Sequence, residues 1–474
     1  MNKSGCMDTL NPAQEAGEEK GSVPASVEDP TMGPLKESVF SYIEAHREEM
    51  VQFLQKIVAI DTQVPPGRNY DAICEVLAEK LRSLGCEVEI HNATEKYLKL
   101  QGAEIMGLKG PRSNVVARCR GKKGKPVLHA SAHIDTAAIQ TEGWTVDPLG
   151  GEITKDNRYG HSICDRGGGY VWGRGTNDDK GEMVSLIFAL QALRDQNIQL
   201  DGDLIISGNC DEEIGGITGL GFLVQEGIVK ADFGLQWDGA LTGIGLAAQG
   251  RVRFLIRTIG KSYHGQVPIL GINAIEKMSK INVALTDYWR NVLLKRQKAI
   301  PGIDLPDDVQ KAGVTNLTAM LNIGTIKGGI QGATVPDLCE EEVLRGMIPG
   351  ETFEGVKKEF EAVIEGVKAT DADLKYELEV INAREGYVVS PQDPYVLEGR
   401  QIIKEVLGVE LPFTGTLAST DMNYQVNDGR MPCFNVGVGG PYGNAHKQDE
   451  SVSIDELVDM TKIAALLYLR KLKS

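Results

Sequence analysis

Between Arg251 and Ile381 the chain changes its rhythm, and that interruption constrains the fold more than any other feature. The spacing predicts a strand at Val252–Thr258, a helix at Asn273–Lys295, strands at Leu317–Ile326 and Glu341–Met347, a helix at Phe353–Ala369 and a strand at Tyr376–Ile381. This βαββαβ order is that of a ferredoxin-like module. On both sides of it, short apolar runs (Val127–Ala132, Leu204–Gly208, Gly234–Trp237) alternate with helical periods such as Asp71–Leu84 and Asp179–Leu193. Such alternation builds an α/β domain, a mostly parallel sheet with helices on both faces. It resumes after Pro394 and ends in a helix announced by Ser453 and Glu456, spaced as a capping box. The expected organisation is therefore one domain from residues 35–250 and 390–474, with the module 251–389 inserted. Residues 1–34, rich in Gly, Pro, Ser and acids without an apolar period, read as a flexible acidic tail.

Composition narrows the functional classes. At 42% hydrophobic and 24% charged, the 474-residue chain is globular in character. Its 50 Lys and Arg are dispersed among 66 Asp and Glu, for a net charge of −16. That balance argues against nucleic acid as a partner, because phosphate binding depends on clustered cations. No apolar run is long enough to span a membrane, and the N-terminus lacks the apolar core of a secretion signal, so a cytoplasmic protein is expected. The eight cysteines contain no Cys-x-x-Cys pair and read as free thiols rather than a disulfide framework or a thiolate zinc site.

Polar residues cluster where the predicted strands end. His133 and Asp135 close VLHASAHIDT, and two residues apart on a strand they share a face. An imidazole ligand needs its second nitrogen held by an acceptor, which Asp135 can supply. His129 lies within the strand and is not expected to be a ligand. In GRGTNDDKG (173–181), Asp178 and Asp179 stand at the mouth of a helix, where an acidic N-cap is the plainer reading, yet glycines beside acids also suit a cation. CDEEIGG (210–216) follows another apolar strand, so one of Glu212 and Glu213 can bind a cation while the other moves protons. Asp238 in LQWDG and His446 in GNAHKQDE each follow a further strand. Open α/β sheets place their sites at these edges. Two imidazoles and three carboxylates without a thiolate suit zinc, or cobalt or manganese. Two divalent cations against three carboxylates leave one positive charge, which a hydroxide would neutralise.

In the order HIDT, GRGTNDDKG, DEE, the single Asp238 and AHKQDE, the chain resembles the aminoacylase and carboxypeptidase superfamily of co-catalytic zinc hydrolases, from about Leu35 to the C-terminus. The superfamily includes acetylornithine deacetylase, succinyl-diaminopimelate desuccinylase and glutamate carboxypeptidase. The resemblance implies two Zn2+ per subunit, one held by His133 and Asp238, the other by Glu213 and His446, with Asp178 between them. It implies Glu212 as general base, Asp135 orienting His133, and the inserted module as a lid and dimerisation domain. Its segment GKSYHGQVPILGINAI resembles the family's Gly-x-x-x-His motif, so His264 would reach across a homodimer to the substrate's oxyanion. Arg345, Ser419 and Thr420 resemble substrate-binding positions. Two departures stand out: Ala333 occupies a position where many relatives carry asparagine, and the stretch from Trp144 to Gly173, with Gly167, Gly168 and Gly169 in series, suggests an altered pocket. The implied activity is hydrolysis of the amide of a small N-acyl amino acid. A dipeptidase or carboxypeptidase with the same metals is the alternative, and a catalytically silent binding protein a remoter one.

Overall fold

The computed structural model describes residues 32–473. Most of the expected tail lies outside them, but Met32–Pro34, assigned to it, begin the first helix, α1 (Met32–Ala45). Helices α2 (Arg47–Val58), α3 (Tyr70–Ser83), α4 (Glu95–Gln101) and α5 (Lys180–Asp195) follow. The first nine strands are β1 (Glu87–Asn92), β2 (Ser113–Cys119), β3 (Val127–His133), β4 (Glu152–Thr154), β5 (Tyr170–Trp172), β6 (Asp203–Asn209), β7 (Phe233–Trp237), β8 (Ile244–Ala248) and β9 (Gly250–Ile259).

The large sheet runs β1, β2, β6, β3, β7, then Cys433–Val436, β8 and Tyr387–Val388, with Phe413–Thr416 beside β8. Its middle is parallel: β3 lies between β6 and β7, and Cys433–Val436 runs alongside β7. β1 and β2 extend one side antiparallel, and β8 turns antiparallel to Cys433–Val436 on the other. Every residue of β3 and β6 is buried. This explains why they read as continuous apolar runs, as in a sheet covered on both faces. The covering includes α5 and the helix Ile454–Leu472, whose Leu457, Leu466 and Leu467 are fully buried. Ser453 Oγ caps that helix by accepting from Glu456 N at 3.3 Å.

The inserted module has its own sheet, in the order Met320–Gly328, Leu338–Met347, β9, Lys375–Arg384, antiparallel throughout. Helices Ala274–Asn291 and Phe353–Lys368 cover one face, and Asn273 caps the first through Ile275 N at 3.0 Å. A separate core forms there around Phe254, Met278, Ile281 and Phe360, with Phe254 and Phe360 stacked at 4.2 Å. Such a closed core is what lets a module interrupt another domain without contributing to its sheet.

One expectation needs correction. Cys86 and Cys119 form a disulfide, whereas Cys74, Cys164, Cys210, Cys339 and Cys433 are free and buried. The register of β1 on β2 sets Glu87 opposite Arg118, which brings the neighbouring cysteines face to face. Their separation of 33 residues conceals this in the sequence.

Candidate metal centre

Four adjacent parallel strands deliver the expected ligands. His133 ends β3, Glu213 lies in the short turn after β6, Asp238 follows β7, and His446 lies in the loop after Cys433–Val436. Because these strands run the same way, their carboxyl ends share one sheet edge. Asp178 reaches it from the turn before α5. The side chains form two groups, His133 with Asp178 and Asp238, and Asp178 with Glu213 and His446; the ligand atoms within each lie within 4.8 Å of one another. Asp178 belongs to both. Its Oδ1 is 2.9 Å from His133 Nε2 and its Oδ2 is 3.0 Å from His446 Nε2, which also lies 2.8 Å from Glu213 Oε2.

The electrostatics suit cations at the same place. Burial, reinforced by Asp178, pushes Glu213 up to about 7, and burial with Glu212 nearby pushes Asp238 well above the carboxylate range. The Asp178 and Glu213 carboxylates push His446 up to about 11. For His133, burial opposes charging but the surrounding aspartates, Asp179 first, outweigh it and raise the group. Asp178, buried yet bonded to both imidazoles, is held low. Protons on imidazoles thus balance buried carboxylates, and a metal ion does the same by displacing them. Two imidazoles and three carboxylates in two groups joined by one carboxylate fit a pair of zinc ions.

The supports are backbone contacts. Asp135 accepts from the amides of Glu212 and Glu213, both at 3.1 Å. Its backbone oxygen is 3.0 Å from His133 Nδ1, and its carboxylate is 3.6 Å away. Asp135 therefore orients His133 chiefly through its carbonyl, while its carboxylate fixes the Glu212–Glu213 turn. Glu450 Oε1 accepts from the amides of Gly175, Asn177 and Asp178 at 3.0 Å each, and its Oε2 pairs with Arg174 at 2.5 Å. Asp179 Oδ2 accepts from His133 N at 2.7 Å. His129, as expected, is no part of either group: buried in the sheet, it contacts Ser207 Oγ at 2.8 Å and Gln425 at 3.0 Å.

Arg384, the last residue of the module's edge strand, was not singled out by the sequence. It reaches into the other domain, donating to Glu212 Oε1 at 3.0 Å, Asp421 Oδ1 at 3.1 Å, Ser419 O at 2.7 Å and Gly215 O at 3.3 Å. Ser419 and Thr420 are thereby brought beside Glu212, and Thr420 also contacts Tyr387 OH at 3.1 Å. Gly216 adopts φ +67°, and a Cβ there would stand 1.8 Å from Asp421 Oδ1, so this approach requires glycine.

Three expectations fare differently. Arg345 is not at the metal centre: it is fully buried inside the module and paired with Glu351 at 2.7 Å. Along Leu338–Met347 it shares the inward face with Val343 and Met347, a parity the sequence already carried. His264 is exposed on the module, in register with Thr334, and belongs to neither ligand group. The long stretch before Gly173 braces the His446 loop: Gln140 donates to His446 O at 2.9 Å, and Thr145 N and Arg158 bond Asp449 at 2.8 and 2.6 Å. Within its glycine run Gly168 is closely packed, since a Cβ there would meet Asp455 Oδ1 at 2.6 Å.

Two three-ligand groups that share one carboxylate, at the carboxyl edge of an α/β sheet, are a donor set suited to a metal-dependent hydrolase. The family model for Peptidase family M20/M25/M40 matches residues 130–470, and the chain belongs to that family of metallopeptidases and metal-dependent amidohydrolases. It is 27% identical over 450 residues to the N-formyl-4-amino-5-aminomethyl-2-methylpyrimidine deformylase of Bacillus subtilis (strain 168), covering 89% of this chain and 94% of that protein. To a probable succinyl-diaminopimelate desuccinylase of Staphylococcus aureus (strain MRSA252) it is 24% identical over 447 residues, covering 90% and 98%. The crystal structure of human carnosine dipeptidase 1 shares the fold, with a TM-score of 0.69 at 18% identity over 92% of this chain and 99% of that one.

Proposed function

We propose that the protein is a dizinc deacylase that hydrolyses the amide of a small N-acyl amino acid, acting in the cytoplasm as a homodimer. The observation that carries this reading is Asp178, shared between two ligand groups, with Glu212 adjacent in sequence to the ligand Glu213. His133 and Asp238 would hold one ion, Glu213 and His446 the other, and Asp178 both; cobalt or manganese could substitute. When bound, the pair acidifies water and offsets negative charge developing on the carbonyl oxygen. Glu212 takes the proton of the attacking water and returns it to the leaving nitrogen, in a position set by Asp135 and Arg384. Ser419 and Thr420, drawn in by Arg384, line the substrate side. His264 from a second copy completes the oxyanion contact.

Exposed apolar residues around His264, notably Tyr263, Ile269 and Ile330, support a second copy docking on the module. Among the described residues no helix is long and apolar enough to cross a membrane. Similarity to a deformylase, a desuccinylase and an acetylornithine deacetylase supports acyl transfer to water as the reaction and makes formyl, succinyl and acetyl groups the ones to try first. The dipeptidase reading rests on the shared fold with carnosine dipeptidase 1. A panel of N-formyl, N-acetyl and N-succinyl amino acids beside dipeptides, assayed with zinc-loaded protein, separates them. Faster hydrolysis of an N-acyl compound is expected; faster hydrolysis of the dipeptides would replace this reading with the second. Zinc binding without turnover of either would favour a silent binding protein.

A further inference from the structure

The two ligand groups are not equally supported. His133 ends β3 with its side chain only 1% exposed, and Asp179 Oδ2 accepts from its amide at 2.7 Å. His446, the second imidazole, stands on a loop with its side chain 57% exposed. Asn444, His446 and Asp449 in that loop all take left-handed conformations, with φ of +56°, +64° and +54°. Such conformations cost a non-glycine residue steric energy and persist only where the surroundings impose them.

Residues 140–159 impose them here. Gln140 Nε2 donates to His446 O at 2.9 Å. Farther along the loop the Asp449 carboxylate, 2% exposed, accepts from Thr145 N at 2.8 Å, Tyr159 OH at 3.3 Å and Arg158 Nη2 at 2.6 Å. The Arg158 guanidinium lies 5.3 and 5.2 Å from the ring centres of Tyr159 and Trp172, which hold it in place as it bonds Asp449. Arg158 is itself 46% exposed, so replacing it opens no buried cavity and leaves Asp449 with Thr145 and Tyr159 as donors.

Resting on the dizinc reading, we propose that Arg158 is a positioning residue. Through Asp449 it holds the His446 loop in ligand geometry, and so sets the affinity of the Glu213–His446 position for its ion separately from the His133–Asp238 position. A loop released from the brace relaxes out of the strained form, and the ion then binds only the fraction of chains that still present His446. If that fraction falls to about a tenth, the apparent affinity falls about 10-fold. This is the low end of the about 10- to 100-fold by which groups behind metal ligands act.

The test reads zinc per chain in buffers of stepped free zinc, with Arg158→Gln placed in two backgrounds. Asp238→Asn leaves the Glu213–His446 ion, and there Arg158→Gln should raise the free zinc needed for half-occupancy about 10-fold. Glu213→Gln leaves the other ion, whose binding should not move. Arg158→Lys, which keeps a donor for Asp449, should recover part of the loss, and Gln140→Ala should act in the same direction as Arg158→Gln. Asp449 is left unaltered because Glu450, next in the chain, cradles the shared Asp178. Equal weakening in the two backgrounds means a general structural role, and no weakening in either means no role; both overturn the assignment, whatever the melting temperatures. Fewer than two ions bound by the wild type would remove the dizinc reading, and this proposal with it.

Discussion

Replacing Asp178 by asparagine tests the centre at its most connected point. Each ligand group offers three residues, and Asp178 alone contributes to both. Asp178→Asn thus leaves two full ligands in each group and substitutes a neutral amide for the carboxylate that bonds both His133 and His446. Losing a contact that merely supports a ligand costs about 10- to 100-fold in metal affinity. Loss of the carboxylate itself should therefore weaken each site by at least about 100-fold, or roughly 3 kcal/mol. The assay is zinc stoichiometry by plasma mass spectrometry after equilibration in a zinc buffer that just saturates the wild type. Two ions per chain are expected for the wild type and well under one for Asp178→Asn. Glu213→Gln and Asp238→Asn, each confined to one group, should retain about one. The shared-carboxylate argument is refuted if Asp178→Asn still holds one ion at wild-type affinity, because that is the behaviour of a residue serving a single site.

Glu212→Gln should bind two zinc ions yet lose nearly all turnover, and activity near wild type would remove Glu212 from the base's role. A pH effect is expected from Glu341, fully buried in the module with Asn282 Nδ2 at 2.6 Å as its hydrogen-bond donor and pushed by burial up to about 7. A carboxylate whose pKa is raised on folding costs nothing below its unfolded value, near 4.5, and destabilises increasingly as pH rises to about 7. Glu341→Gln should consequently stabilise the protein at pH 8 by up to about 3 kcal/mol and much less at pH 5; equal urea midpoint shifts at the two pH values would show that Glu341 ionisation is not the cause. Gly216→Ala, combining φ +67° with a Cβ aimed at Asp421, should destabilise by at least about 1 kcal/mol, and an unchanged melting temperature would contradict the geometry. Ile269→Glu together with Ile330→Glu should give monomers by sedimentation with zinc binding intact and turnover lost; fully active monomers would exclude a cross-subunit role for His264.

The sequence by itself determined the alternation of elements and the ligand types. Apolar runs that end in His133 or lead into Glu213, Asp238 and His446 are local signals, because a buried parallel strand must be apolar along its length and can carry polar groups at and beyond its end. The module's order was legible for the same reason, through strand and helix periods that depend only on neighbouring residues. Even Arg345 could have been placed correctly, since its parity with Val343 and Met347 assigns it to the inward face.

Tertiary structure decided what long-range contacts decide. Arg384 reaches Glu212 across 172 residues, and Glu450 cradles the Asp178 turn across more than 270. Neither pairing leaves a local period. The Cys86–Cys119 disulfide depends on strand register, and the role of Gly168 depends on a helix that begins near the other end of the chain. Arg251 shows the limit most sharply: an arginine in a strand is ordinary in sequence, and only packing reveals that its enclosed Nε and Nη2 have no hydrogen-bond partner. Residue type and period fix which groups can bind cations, whereas the sheet's strand order fixes which of them meet, because proximity across hundreds of residues is a property of the fold and not of any segment.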